Sequence, residues 1–194
     1  YKLSLKMRRF LLIFGVALTL VGIRWHIFGI YDEDIWADQA EYVLAGDSRQ
    51  FDAGRAYGHP GTTIVLGTIF AQKATGLSFR NSLYLYMSIA AAVLIALSAS
   101  LCYHLRPHDP WWMTTGLILS TERSMEYATP PTALATLLVV LLVLGTLVVA
   151  DNLRNRYLAG WGVVAGLLVS TRFDIGVVVT AWLLVFLALK SLGK

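Results

Sequence analysis

Long apolar runs constrain the fold of this chain more than any other feature of its sequence. The segments 82–105 and 131–150 contain no Asp, Glu, Lys or Arg. About 18–20 apolar residues suffice for a helix to cross a bilayer, and a helix satisfies its own backbone hydrogen bonds there. With 57% hydrophobic residues and 14% charged residues, the composition differs from that of soluble domains. The sequence therefore predicts an all-α, polytopic membrane protein.

Six transmembrane helices account for the apolar runs, and we predict that residues 1–194 form a single transmembrane module. The predicted spans are residues 10–30, 82–105, 111–128, 131–150, 157–172 and 175–190. The last two come from one apolar region that is interrupted only by Arg172 and Asp174. A single helix of that length would exceed the bilayer, whereas two short helices with a turn at Phe173 fit it.

The distribution of charge predicts the orientation of the spans. With the amino terminus in the cytoplasm, the cytoplasmic segments carry nine bases and two acids, a net charge of +7, and the outer segments carry seven bases and ten acids, a net charge of −3. This division obeys the positive-inside rule. We therefore expect a multi-pass protein of the cytoplasmic (plasma) membrane with both termini inside. Because the bases follow the topology, they do not indicate nucleic-acid binding, and the single Cys102 provides no disulfide framework.

The first outer loop, residues 31–80, has structure of its own. Five carboxylates lie within residues 32–41. Acidic residues recur there at helical spacing: Asp34, Asp38 and Glu41. Apolar residues form the opposite stripe: Trp36, Ala40 and Val43. This pattern predicts an amphipathic helix at the membrane interface. A second apolar stretch from Pro60 to about Ala74 is too short to span, so we expect a second interfacial helix.

Several candidate functional residues belong to the outer segments: Asp32, Glu33, Arg55, His59, Arg80 and Arg172. A carboxylate can act as a general base on an acceptor hydroxyl or amine. The Arg172 guanidinium can hold a lipid-linked phosphate through paired hydrogen bonds, or it can simply pair with Asp174. His59 has three open roles: ligating a divalent metal, holding a pyrophosphate or sugar hydroxyl, or entering a helix with no function.

The order of these motifs resembles that of the GT-C membrane glycosyltransferases, notably the lipid A aminoarabinose transferases and the dolichyl-phosphate-mannose protein mannosyltransferases. The matching positions of the first loop are Asp32, Glu33, Trp36, Ala37, Asp38, Leu44 and Ala45. In the mannosyltransferases a His-Pro-Pro motif follows, and His59-Pro60-Gly61 matches two of its three residues. The fifth span ends in Ser170-Thr171-Arg172, where relatives usually have Thr-Lys.

The resemblance implies an activity and a role for each candidate. It implies transfer of a sugar from a polyprenyl-phosphate donor to an acceptor at the outer face, with inversion. Asp32 would be the general base, and Glu33 would support it or help to bind the acceptor. His59 would contact substrate or a divalent metal, Arg172 would pair with the donor phosphate, and Arg55 or Arg80 would assist.

Two departures from the family pattern keep a second function open. Many relatives have an Asp at the outer start of the fourth span, where this chain reads Tyr127-Ala128-Thr129-Pro130-Pro131-Thr132. Family enzymes also have more spans, so the resemblance implies an amino-terminal module only. The alternative is a non-catalytic subunit of the same fold that packs with other membrane subunits in a larger complex. The expected partners are a lipid-linked sugar donor and membrane lipids, or those other subunits, with no nucleic acid.

Overall fold

The computed structural model describes residues 4–30, 32–47, 61–121, 129–151 and 155–192, most of which are helical. We number the helices of this described part in chain order: α1 (Leu5–Phe28), α2 (Glu33–Ala45), α3 (Thr62–Thr75), α4 (Phe79–Leu105), α5 (Trp111–Thr121), α6 (Pro130–Asp151), α7 (Asn155–Thr171) and α8 (Phe173–Leu192). The all-α prediction is confirmed. The predicted division of the last apolar region is also observed, with Arg172 as the only residue between α7 and α8.

Four of the helices are long and apolar enough to cross a bilayer, namely α1, α4, α6 and α8. This is the architecture of a helical membrane protein. The other two predicted spans are shorter as helices. The 17 residues of α7 cover about 25 Å at about 1.5 Å per residue, slightly less than the hydrocarbon core. The 11 residues of α5 end at Thr121, and the rest of its predicted span, 122–128, lies outside the described residues.

Helix α4 is the central element of the bundle. It packs against α1, α2, α3, α5 and α6, while α7 packs against α6 and α8. Small residues on α4 make this close packing possible: Ala91, Ala92, Ala96 and Ala99 are all buried. A second apolar cluster joins α6 to α7 and includes Leu142 and Leu168, both 0% exposed.

The helix boundaries follow local chemistry. Ser4 precedes α1 and accepts a hydrogen bond from the Met7 N–H at 3.3 Å, and Ser78 does the same for the Asn81 N–H before α4. Pro130 begins α6, at a position where a helix needs no N–H donor. The serine cap places Arg80 in the first turn of α4, although the sequence suggested that it precedes the span.

The two short helices expected in the first outer loop are both present as α2 and α3. Helix α3 presents Ile64 and Thr68 to the bundle, both 0% exposed. Its opposite face is apolar as well, with Leu66 56% and Phe70 75% exposed. An apolar face turned away from the bundle suits a helix that lies in the membrane interface, so that location remains our prediction for α3.

Candidate functional site

The carboxylate of Glu33 is the centre of a buried polar cluster at the junction of α1, α2 and α4. Its Oε2 accepts hydrogen bonds from the Ile30 N–H at 3.0 Å and from the Tyr84 hydroxyl, and its Oε1 accepts one from Arg80 Nη2. Glu33 is 8% exposed. A buried carboxylate is stable only when it is paired and hydrogen-bonded, and three donors meet that need here. Glu33 therefore fastens the start of α2 to α4.

Asp32 comes directly before this anchor and has an unusual backbone conformation. Its φ of 58° and ψ of 27° are left-handed, and it is the only non-glycine residue with a positive φ among the described residues. Aspartate is one of the few residues that adopt this conformation without a large cost. Its side chain makes no capping hydrogen bond to α2. The backbone of Asp32 thus forms a defined turn, and its carboxylate is not used to cap the helix that follows.

The acidic and apolar faces of α2 divide as the sequence predicts, but the apolar face meets the core of the bundle, where the sequence predicted the membrane interface. Asp34, Asp38 and Glu41 are exposed, whereas Trp36 is 5% and Ala40 is 0% exposed. The acidic face is therefore solvated, and the apolar face packs into the core. Among the acids of this helix, Glu33 alone is buried.

The second loop motif ends against α2. Gly61 has a φ of 51°, and a Cβ placed there would overlap the indole ring of Trp36. Only glycine combines this backbone conformation with such a close approach. Trp36 lies one helical turn after Asp32, and Gly61 follows His59 and Pro60 in the sequence. The end of one predicted motif therefore contacts the helix that begins with the other.

A second polar cluster surrounds the turn between α7 and α8. Arg172 donates two hydrogen bonds to Asp174, from Nε to Oδ1 at 3.0 Å and from Nη2 to Oδ2 at 2.7 Å. Its Nη1 donates a third to Thr132 Oγ1 at 2.7 Å. The arginine side chain is 14% exposed and that of Asp174 is 52% exposed, so this is a bidentate pair with a largely buried guanidinium and a half-exposed carboxylate. The pairing that the sequence left open as an alternative is present.

Helix α3 joins the two clusters. Its first turn contacts Trp36 through Gly61, and the hydroxyl groups of Thr63 and Ser170 are 2.8 Å apart. Ser170 lies two residues before Arg172. These contacts connect the start of α2 with the α7–α8 turn at one end of the bundle. Five helices begin there (α2, α3, α4, α6 and α8), and their N-termini favour a negatively charged ligand.

Four of the six predicted site residues belong to the described part of the chain, and all four lie at this end of the bundle. Asp32 and Glu33 lie at the start of α2, and Arg172 lies at the α7–α8 turn. Arg80 pairs with Glu33, and its Nε is 3.9 Å from Asp34. Arg55 and His59 lie outside the described residues. Within the described ranges, no group of three His, Cys, Asp or Glu side chains could hold a metal ion, and the metal role of His59 remains a prediction.

Sequence reasoning missed three residues of these clusters, Tyr84, Thr63 and Thr132, and also the buried Gln39 of α2. One of them carried a usable signal, since Arg80 and Tyr84 are four residues apart at the start of a helix and so share a face. Gln39 had no such signal. Its buried Nε2 has no acceptor in the described part of the chain, and the same holds for the buried hydroxyl of Thr68 on α3.

No protein-family model, curated protein or solved structure matches this chain. The fold alone defines the class of this chain, an all-helical membrane protein. Its function has to be inferred from the arrangement of its own residues.

Proposed function

We propose that this chain is a membrane glycosyltransferase module of the GT-C type, which transfers a sugar from a polyprenyl-phosphate donor to an acceptor at the end of the bundle where α2 begins. The proposal rests on one observation, the contact between the two loop motifs. Gly61, the last residue of the His-Pro-Gly motif, packs on Trp36, one turn after Asp32. The same first turn of α3 bonds to Ser170, beside Arg172.

Asp32 is the proposed general base. It removes the proton of the acceptor hydroxyl or amine as that atom attacks the anomeric carbon of the sugar. The bond from that carbon to the phosphate oxygen breaks, and the polyprenyl phosphate leaves with the electron pair. Attack from the opposite face inverts the configuration. The fixed turn at Asp32 and the anchor at Glu33 suit this role, because a base must be held in a defined position.

Arg172 is the proposed partner of the donor phosphate. A phosphate offers the same pair of oxygen acceptors as the Asp174 carboxylate, so it can exchange with that partner. Thr132 would keep one end of the guanidinium in place during the exchange. His59 and Arg55 are proposed substrate contacts from the sequence pattern, and Arg80 is proposed to act through Glu33. A divalent metal at His59 belongs to the same proposal.

Sugar transfer by Asp32→Asn tests this function. The substitution keeps the shape of the side chain and removes its basicity. Loss of a positioned base costs about 10²–10⁴-fold in turnover. The matched control is Asp38→Asn on the exposed face of the same helix, which should change turnover by less than about threefold. The assay follows a labelled sugar from a polyprenyl-phosphate donor to a membrane acceptor.

A non-catalytic subunit is the second candidate, and one observation favours it. Glu33 and Arg172 are both satisfied by partners within the chain, as structural residues would be. If wild-type protein transfers no sugar and co-purifies stoichiometrically with other membrane proteins, the subunit function replaces the enzyme. Near-normal transfer by Asp32→Asn would also contradict the proposed mechanism.

A further inference from the structure

A cavity of about 380 Å³ lies at the opposite end of the bundle from the candidate site, between α1, α4 and α5. We call it the basic cavity. It is lined by three cationic or titratable side chains, Lys6, Arg9 and His104, and by two aromatic ones, Tyr103 and Trp112. Its volume is at the lower end of the range of about 300–1,000 Å³ typical of ligand pockets. This size suits a small polar group.

Arg9 is the residue that indicates a ligand. Its guanidinium lies over the Tyr103 ring, 4.0 Å from the ring centre, and 5.6 Å from the centre of the Trp112 ring. These contacts hold the group in place. Its Nη1 is buried and has no acceptor within the described chain. Leaving a charged donor buried without an acceptor is unfavourable, and Arg9 lines the cavity, so an oxygen acceptor bound there would stabilise the guanidinium.

The charges of the cavity favour an anion. Among the described residues, no carboxylate lines it, and the nearby Asp109 pairs with Arg106 at 3.7 Å. Helix α1 begins beside Lys6 and α5 begins beside Trp112, so two positive helix ends lie at this place. The C-terminus of α4 opposes them, but Lys6 and Arg9 add two full positive charges to the lining. An anionic group with several oxygen atoms, such as a phosphate, matches this field.

The surroundings favour a membrane lipid over a soluble phosphate. Leu11 and Leu12, on the same turns of α1 as Arg9, are 45% and 55% exposed, as expected of side chains that face lipid. Ser100 borders the basic cavity and also a second cavity of about 370 Å³. That second cavity is lined mainly by apolar side chains of α4, α6 and α7. A cavity that carries basic side chains, next to a second cavity that is mainly apolar, suits the charged headgroup and the acyl chains of a phospholipid.

We propose that the basic cavity binds the phosphate headgroup of an anionic phospholipid, with Arg9 as the main ligand and Lys6 at its rim. The site is separate from the proposed transferase site and does not depend on it. Basic pockets between transmembrane helices commonly bind such headgroups.

Lipid binding by the full chain in a neutral detergent tests the proposal. Native mass spectrometry measures the Kd for short-chain phosphatidylglycerol and for phosphatidylcholine with the same acyl chains. We expect phosphatidylglycerol to bind at least about tenfold more tightly, and Arg9→Gln to weaken it by about tenfold to a hundredfold, the effect of one hydrogen bond to a charged group. The matched control is Arg8→Gln, which removes an exposed base that does not line the cavity, and its effect should be less than about threefold.

Further variants keep the test decisive if Arg9→Gln does not fold. Arg9→Lys keeps the charge and should bind phosphatidylglycerol within several-fold of the wild type. Lys6→Gln, at an exposed position, should weaken binding about threefold to fivefold. Equal effects of Arg8→Gln and Arg9→Gln would overturn the proposal, since they would indicate diffuse attraction. Equal binding of the two lipids would also overturn it. Displacement of the lipid by inorganic phosphate at a similar concentration would assign the cavity to a soluble anion instead.

Discussion

Among the described charged residues of the first loop, Glu33 is the one whose loss of charge, by substitution with Gln, is expected to destabilise the protein most. Glu33 accepts hydrogen bonds from Ile30, Arg80 and Tyr84, and an amide provides only one acceptor oxygen. Its NH₂ group would face donors, so at least one of the three donors loses its acceptor. Breaking a buried ion pair costs about 3–5 kcal/mol.

The exposure of Arg80 reduces that cost. Its side chain is 57% exposed against 10% for Glu33, so solvent screens part of the attraction. An unsatisfied buried donor still costs about 1–3 kcal/mol. We therefore expect a loss of about 2–3 kcal/mol in the free energy of unfolding. For a chain of this length that lowers the midpoint of thermal unfolding by about 5–10 °C.

Thermal unfolding in detergent, followed by tryptophan fluorescence, measures the effect. The matched control is Asp34→Asn, whose carboxylate is 77% exposed and 3.9 Å from Arg80, and its midpoint should change by less than about 2 °C. Tyr84→Phe should lower the midpoint by an intermediate amount, and its combination with Glu33→Gln should be less than additive. Equal midpoints for Glu33→Gln and Asp34→Asn would refute the assignment of Glu33 as the anchor of α2.

Three further outcomes are expected. Gly61→Ala should lower the unfolding midpoint clearly more than Gly46→Ala. Both glycines have a positive φ, but only a Cβ added at residue 61 would overlap the indole ring of Trp36. Equal losses would argue against that contact. Single cysteines placed at Glu41 and at Arg156, on a cysteine-free background, test the orientation with an impermeant thiol reagent. Only Glu41→Cys should be labelled in intact cells. Labelling of both cysteines would contradict the predicted orientation. Arg172→Lys should weaken donor binding moderately and Arg172→Ala much more, and equal binding by all forms would leave only the structural pairing.

The long helices could be predicted from hydropathy, because an apolar segment in lipid has few alternatives to a helix. The ends were less predictable. Helix α1 begins at Leu5 rather than near residue 10, since Lys6, Arg8 and Arg9 are good helix formers and the exposed Lys6 and Arg8 can reach the polar interface. Helix α4 begins at Phe79 because Ser78 caps it, and this places Arg80 on the face that meets Glu33.

The candidate site was predictable in its residue types but not in its partners. The acidic stripe of α2 follows from local spacing, and its exposure was expected. The buried position of Glu33 depends on Arg80 and Tyr84, which are 47 and 51 residues away in the chain. Local periodicity contains no information about such contacts. The Arg172–Asp174 pair is local, and for that reason it could be named from the sequence as one of two alternatives.

The most direct test of Asp32 as the catalytic base is a single-turnover measurement across pH. Enzyme loaded with donor is mixed with acceptor, and the transfer rate is followed from neutral to acidic pH for the wild type and for Asp32→Asn. A base must be ionised, so the wild-type rate should fall about tenfold per pH unit on the acid side. Asp32→Asn should be about 10²–10⁴-fold slower at neutral pH, should lack that acid limb and should bind donor nearly as well. A variant that keeps both the acid limb and a near-normal rate would contradict the account.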